Sequence, residues 1–224
     1  MKIIKKFLKE KDIAAIGIGA MIVFIAMVLV AGIAASVLIQ TSTKLESQAM
    51  TTGAETIGEV ATGISVFDIE GYANTGSSAD ITKLAVTIRP RAGSEDIDLL
   101  NTFIELSDTT NKIVLKYVDA TTFNWWDQDG NGLDNIFGLS VFPAAADDFG
   151  ILVVEDADSS CSESNPVINR GDKVMITIDL SQCFGTGWAE RTDVWGQIVP
   201  EEGAPGIISF RTPASYIDDV MDLQ

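Results

Sequence analysis

The chain of 224 residues is 46% hydrophobic and carries 15 Lys+Arg against 32 Asp+Glu, a net charge of −17, with no histidine. Such acidity argues against nucleic-acid binding, because phosphates reward lysine and arginine, and it suits a surface that must stay soluble in salty surroundings. The length accommodates one domain of ordinary size plus a long apolar segment.

The first twelve residues hold Lys2, Lys5, Lys6, Lys9 and Lys11 against Glu10 and Asp12, a net of +3 that leaves about −20 for everything after them. Behind this leader runs an uncharged stretch from Ile13 to Thr43. As a helix it would measure roughly 45 Å at 1.5 Å per residue, enough to cross a hydrocarbon core of about 30 Å. The lysines on one side and the acidic mass on the other place the amino terminus in the cytoplasm and the bulk outside. A secretory signal has an apolar region of about 7 to 15 residues, and this stretch is about twice that. It is also rich in small residues, among them Ala14, Ala15, Gly17, Gly19, Ala20, Gly32, Ala34 and Ala35, which let helices approach closely in lipid. Beyond Ile39 the chain turns polar, yet Leu45, Ala49, Ile57, Val60 and Ile64 recur near helical spacing. The pattern predicts one long helix from Ile13 to about Ala61, apolar on all sides first and amphipathic later, although Gly53, Gly58 and Gly63 each weaken it by up to about 1 kcal/mol.

From about Ser65 the pattern changes to short β-rich runs separated by Gly, Pro, Asn and Asp: Ile81–Pro90, Thr102–Asp108, Lys112–Val118, Phe149–Asp156, Asp172–Leu180, Trp195–Pro200 and Gly206–Pro213. Seven or so such strands predict an antiparallel sandwich. Leu84, Val86 and Ile88 share one strand face, as do Val174, Ile176, Ile178 and Leu180, and these faces are the predicted core. In "DQDGNGLDN", Asp127, Asp129 and Asn131 alternate around two glycines, with Asp134 and Asn135 behind them. That spacing suits a calcium loop, but Gly138 stands where an EF-hand has its glutamate; a solvated Asp-Gly turn is the alternative. Trp125 and Trp126 precede the loop and serve either a subunit contact or the core. Cys161 and Cys183, if outside the cell, could close a disulfide loop of about 22 residues that stabilises by roughly 3 kcal/mol; two buried free thiols are the alternative. Arg170–Asp172, "RGD", reads as a turn into the next strand.

No catalytic constellation emerges. There is no histidine, no phosphate-binding glycine loop and no dinucleotide fingerprint, and the paired acids Asp147–Asp148 and Glu201–Glu202 read as solvated charges. No Asn-X-Ser/Thr acceptor occurs either.

The stretch "GIGAMIVFIAMVLVAGIAASVLIQTS", Gly17 to Ser42, closely resembles the amino-terminal helix of archaellins, the subunits of the archaeal flagellum. "ESQAMTTGAETIGEVATGISV", Glu46 to Val66, resembles the continuation of that helix, and "IISFRTPASY", Ile207 to Tyr216, resembles the family's carboxy-terminal strand. The resemblance implies an α+β chain, with a long hydrophobic helix followed by an immunoglobulin-like antiparallel β-sandwich. It implies a prepilin-type leader over residues 1–14, a filament-core helix over 15–64 and an outer domain over 65–224. A prepilin-type membrane peptidase would cut between Ala14 and Ala15; glycine commonly precedes that cut, and Ala14 stands in its place. The retained helix, with Ile16, Gly17, Ile18, Gly19, Ile22, Val23, Phe24, Ile25, Met27, Val28, Leu29, Val30, Ile33, Val37 and Leu38, would wait in the membrane, meet an assembly platform and then pack against copies of itself. The implied product is an extracellular filament for swimming, a homopolymer or a mixture of archaellins, that binds no nucleic acid and requires no cofactor beyond the candidate calcium ion. An adhesion pilin shares the processing and the apolar helix, but bacterial-type pilins place a glutamate at the fifth mature position, here Gly19. A surface-anchored binding domain that keeps its helix in lipid is the second alternative.

Overall fold

The computed structural model describes residues 2–74, 80–118, 122–125 and 135–224, with side chains from Ile16 onward. The chain divides into two units, Met1–Glu55 and Thr56–Gln224.

Helix α1 runs from Lys2 to Ala61. Its end agrees with the predicted one, whereas its start lies eleven residues earlier than Ile13. The leader "KIIKKFLKEKD" contains neither glycine nor proline, and lysine, leucine and glutamate are good helix formers, so nothing local stops the helix there. At the other end the amide of Thr62 donates to the Gly58 carbonyl (2.8 Å), and the chain then turns into a sheet. A side chain at Gly63 would meet the Ala204 carbonyl at 2.8 Å. Only glycine lets the chain pass that close to its neighbour.

Among the described residues thirteen strands follow. A six-stranded sheet takes β1 (Ile64–Ala73), β2 (Ile81–Pro90), β6 (Phe123–Trp125), β7 (Gly150–Glu155), β10 (Lys173–Asp179) and β13 (Val220–Asp222), in the order β13-β1-β2-β10-β7-β6. A four-stranded sheet takes β4 (Phe103–Ser107), β5 (Lys112–Lys116), β11 (Asp193–Val199) and β12 (Gly206–Arg211), in the order β12-β11-β4-β5. The small strands β3 (Ile97–Asp98), β8 (Cys161–Ser162) and β9 (Asn165–Ile168) form a third sheet, and a single-turn helix α2 (Leu180–Cys183) follows β10. Every named pairing is antiparallel except β6 with β7, so the predicted sandwich is present with one parallel edge.

The core lies between the two large sheets. Leu84, Val86 and Ile88 of β2 and Val174, Ile176 and Ile178 of β10 are all fully buried there, with Leu180 at the start of α2, as the alternation predicted. Ile104, Leu106, Leu115, Ile198 and Ile208 come from the facing sheet. The outer face of β2 and β10 is covered as well, because Phe137, Val141 and Phe142 pack over Ala85 and Leu152 in a second cluster. Asn135 starts that cover by capping the 3₁₀ turn Ile136–Gly138, its side-chain oxygen accepting the Phe137 amide at 3.1 Å. The Thr177 hydroxyl then donates to the Val141 carbonyl (2.8 Å), tying cover to sheet.

Gly150 sits beneath this crossing, where an added methyl would run into the Val141 carbonyl oxygen and the Thr177 hydroxyl. Gly150→Ala is expected to lower stability by about 1–3 kcal/mol, the usual cost of overpacking a filled interior, measured by denaturant unfolding followed through tryptophan fluorescence.

Candidate functional site

Between Ile16 and Ile39, α1 carries no charge and presents large apolar side chains at every turn. They are exposed all round, from 53% at Val37 to 72% at Ile16. An exposed apolar patch on a soluble surface is ordinarily a few hundred Å², so a whole helix of this kind needs lipid or other protein around it. The segment is long and apolar enough to cross a membrane by length and composition. Nothing within 4 Å would obstruct a side chain at Gly17, Gly19, Gly32 or Gly53. No contact inside the chain therefore calls for glycine at these places, whereas close approach by a second helix does.

Where polar residues enter this helix they are satisfied within it. The hydroxyls of Thr41 and Thr43 donate to the carbonyls of Leu38 and Ile39, both at 3.0 Å, and Gln40 donates to the Ser36 hydroxyl at 3.3 Å. Such back-bonding to the preceding turn removes most of the cost of taking these groups out of water. Ala14 and Ala15 lie on helical backbone inside α1, with no break in the helix at the expected cut.

Elsewhere the structure redistributes the predicted sites. Cys161 and Cys183 are free thiols, not a disulfide. Cys161 sits in β8 beside Asp156 and Asp172, and Cys183 ends α2 beside Asp179 and Asp148. These are opposite ends of the paired strands β7 and β10. At about 3.4 Å per residue, seven-residue β10 separates them by roughly 20 Å, whereas a disulfide needs Cα atoms within about 7 Å. Burial pushes both thiols up to about 12, with the neighbouring carboxylates adding to it.

Asp127, Asp129, Asn131 and Asp134 lie outside the described residues, as does Trp126; Asn135 is the 3₁₀ cap. Trp125 packs its ring edge-on to Phe123 at 6.1 Å, at the border of the main core. Arg170–Asp172 is a turn into β10, with Gly171 at φ 109°.

A different acidic group was not foreseen. Carboxylate oxygens of Asp156, Asp158 and Asp172 lie within 4.8 Å of one another, close enough to share a cation. They already accept local donors: Asp156 the amides of Ser159 (2.7 Å) and Cys161 (3.0 Å), Asp158 the Asn169 side chain (2.7 Å), Asp172 the Asn169 amide (2.8 Å). Asp172 is buried, which raises its pKa, and the charges of Asp156 and Asp158 raise it further. Asp158, exposed and hydrogen-bonded to Asn169, is lowered. Fourteen residues separate Asp158 from Asp172, and only the fold brings them together.

A family profile for archaeal-type flagellin matches residues 14–210. The chain belongs to the archaeal-type flagellins. Flagellin B2 of Methanocaldococcus jannaschii is 43% identical, with 98% of each chain covered. Flagellin B3 of Thermococcus kodakarensis is 39% identical, covering 98% of this chain and 100% of that one. The crystal structure of archaeal flagellin FlaB1 from M. jannaschii superposes with a TM-score of 0.63 at 34% identity, over 73% of this chain and 98% of that one. The archaeal flagellum of Methanospirillum hungatei strain JF1 shares the fold, with a TM-score of 0.60 at 17% identity, over 92% and 98%. This flagellin is thus a structural subunit of an extracellular filament, and the exposed helix is the part of it that most needs neighbours.

Two measurements check the electrostatics. Native protein should resist maleimide at mildly alkaline pH, while the unfolded chain takes two labels, as read by intact mass. For Asp172 the folded-state pKa lies above the unfolded one, so its stabilising contribution is complete below the unfolded value and is lost as pH rises through the raised one. Asp172→Asn removes that loss, and thermal melts should show the variant gaining on the parent at pH 7 relative to about pH 3.

Proposed function

We propose that this flagellin, a subunit of the swimming filament at the cell surface, assembles by moving its amino-terminal helix from lipid to a bundle of identical helices. The observation that carries the reading is the uncharged helix from Ile16 to Ile39, exposed on every face. Each large apolar side chain left in water costs about 1.5–3 kcal/mol, so a route through solvent is closed. Passage from lipid to protein involves no such loss, because lipid tails are as apolar as leucine. What favours the bundle is close packing, which the bare backbone at Gly17, Gly19 and Gly32 allows.

A prepilin-type membrane peptidase removes the lysine-rich leader near Ala14 and Ala15 and leaves the helix intact. The start of the family match at residue 14 supports this placement. While the leader is present, its five lysines hold the amino terminus on the cytoplasmic side; once it is gone, the new α-amino group, of pKa about 7.7–8.0, is the one charge left ahead of the helix to oppose its withdrawal from the bilayer. An assembly platform at the membrane then receives the trimmed subunit. Each copy meets the next head to tail, so the contacts need not close into a ring and growth continues as an open helix. Torque is transmitted along the filament by packing, and the β unit forms the outer sheath. A calcium ion on the Asp127–Asn135 loop belongs to the same proposal as a stabiliser of that sheath.

Mass measurement of the amino-terminal peptide from sheared surface filaments tests the reading. The expected start is at or near Ala15. Recovery of the trimmed protein as single soluble molecules lacking the helix would sink it.

A further inference from the structure

The β unit carries nine of the chain's lysines and arginines, and four of them, Arg89, Arg91, Arg170 and Lys173, line one cleft of about 600 Å³. Only Glu155 and the buried Asp172 oppose them there. Lys173 is paired with Glu155 at 2.8 Å, Arg89 stacks over the Phe67 ring at 5.2 Å, and Arg91 reaches the Pro205 carbonyl at 3.5 Å. Arg170 stands exposed on its turn. A net positive cleft in a chain of net charge −17 concentrates field where the rest of the surface repels anions.

A second cavity, of about 200 Å³, has the opposite character: Glu95, Asp96, Asp98, Glu201 and Glu202 line it with no cation among its walls. Glu201 and Glu202 project from the exposed turn between β11 and β12. Asn101 bridges Asp98 and Glu201 at 3.1 and 3.3 Å and gathers the carboxylates. The ion pairs among the described residues are Lys112–Glu105, Lys173–Glu155 and Arg211–Asp193, so none joins the two sites within one subunit.

Both sites lie at the end of the β unit where the chain enters from α1. The Arg91 amide bonds the Gly63 carbonyl at 2.8 Å, and the Glu95 amide bonds the Thr62 hydroxyl at 3.3 Å. We propose that the Arg89–Arg91–Arg170–Lys173 cleft receives the Glu201–Glu202 turn of a second copy of this chain, as a lateral contact of the filament. The two surfaces are different patches of one molecule, so the contact is head to tail and need not close into a ring, which is compatible with an open filament. The inference rests on the filament reading and adds to it a salt-dependent contact outside the helix bundle. Linkage through the bundle supplies a high effective concentration, so a contact too weak to hold free subunits still forms.

Purified filaments of the full chain test this. Arg91→Glu/Arg170→Glu and, separately, Glu201→Lys/Glu202→Lys should each lower the thermal disassembly midpoint and weaken its fall between about 0.1 M and 1 M salt, where the Debye length shrinks from about 10 to 3 Å. The four-substitution chain, with both charges exchanged, should recover most of the loss. If a charge-reversed chain makes no filament, its recovery in the four-substitution chain carries the same meaning. Unchanged midpoints, or losses that add instead of cancelling, overturn the contact, as does stabilisation by millimolar phosphate without rescue by exchange, which marks a free-anion site. Failure of the parent chain itself to form filaments would count against the filament reading instead.

Discussion

A helix without a charge from Ile13 to Thr43, uncovered by its own chain from Ile16 to Ile39, must always lie against something other than water. That constraint orders the rest of the molecule. On the proposed route it calls for a membrane stage before assembly, because exposure to water costs about 1.5–3 kcal/mol per large apolar side chain. It also makes the assembled state resistant to dilution, since a subunit leaving the bundle has no solvent to enter. The internal bonding of Thr41, Thr43 and Gln40 serves the same end, because these groups bring their hydrogen bonds with them from lipid to protein.

The β unit answers the opposite need. It folds on its own core, with β2 and β10 covered on both faces by separate clusters, and so does not depend on the helix for burial. The junction is correspondingly economical: on either side of Gly63 the chain is tied to Ala204 by two backbone hydrogen bonds, the Ala204 amide to the Thr62 carbonyl at 2.8 Å and the Ile64 amide to the Ala204 carbonyl at 3.1 Å.

The elements legible in the sequence are those whose period is unbroken. The apolar helix announces itself by composition, and β2 and β10 by strict alternation at Leu84, Val86 and Ile88 and at Val174, Ile176 and Ile178. β1 was hidden for a physical reason: a bulge between Val66 and Asp68 makes Phe67 an extra residue, so the apolar positions fall out of step and the strand resembles the fading end of the helix. The two-residue strands β3 and β8 have too few positions to show any period. Cys161 and Cys183 are kept apart because β10 runs between their surroundings, and an extended strand turns its seven residues into a distance of roughly 20 Å. The Asp156–Asp158–Asp172 group and both charged clefts were beyond reach of the sequence, since each is assembled from segments that only the sheet register brings together.

The charge of the chain acquires a second meaning from that assembly. A net of −17 per subunit keeps the outer surface solvated, but identical acidic domains set side by side repel, and the repulsion grows as the helices draw them together. The helix bundle can overcome it because its driving force is packing, which salt does not screen. Four of the nine cations of the β unit, Arg89, Arg91, Arg170 and Lys173, line one cleft, and on the proposed contact that cleft relieves part of the repulsion where copies meet. On the proposed contact growth is directional, because the basic cleft of one subunit meets the acidic turn of the next.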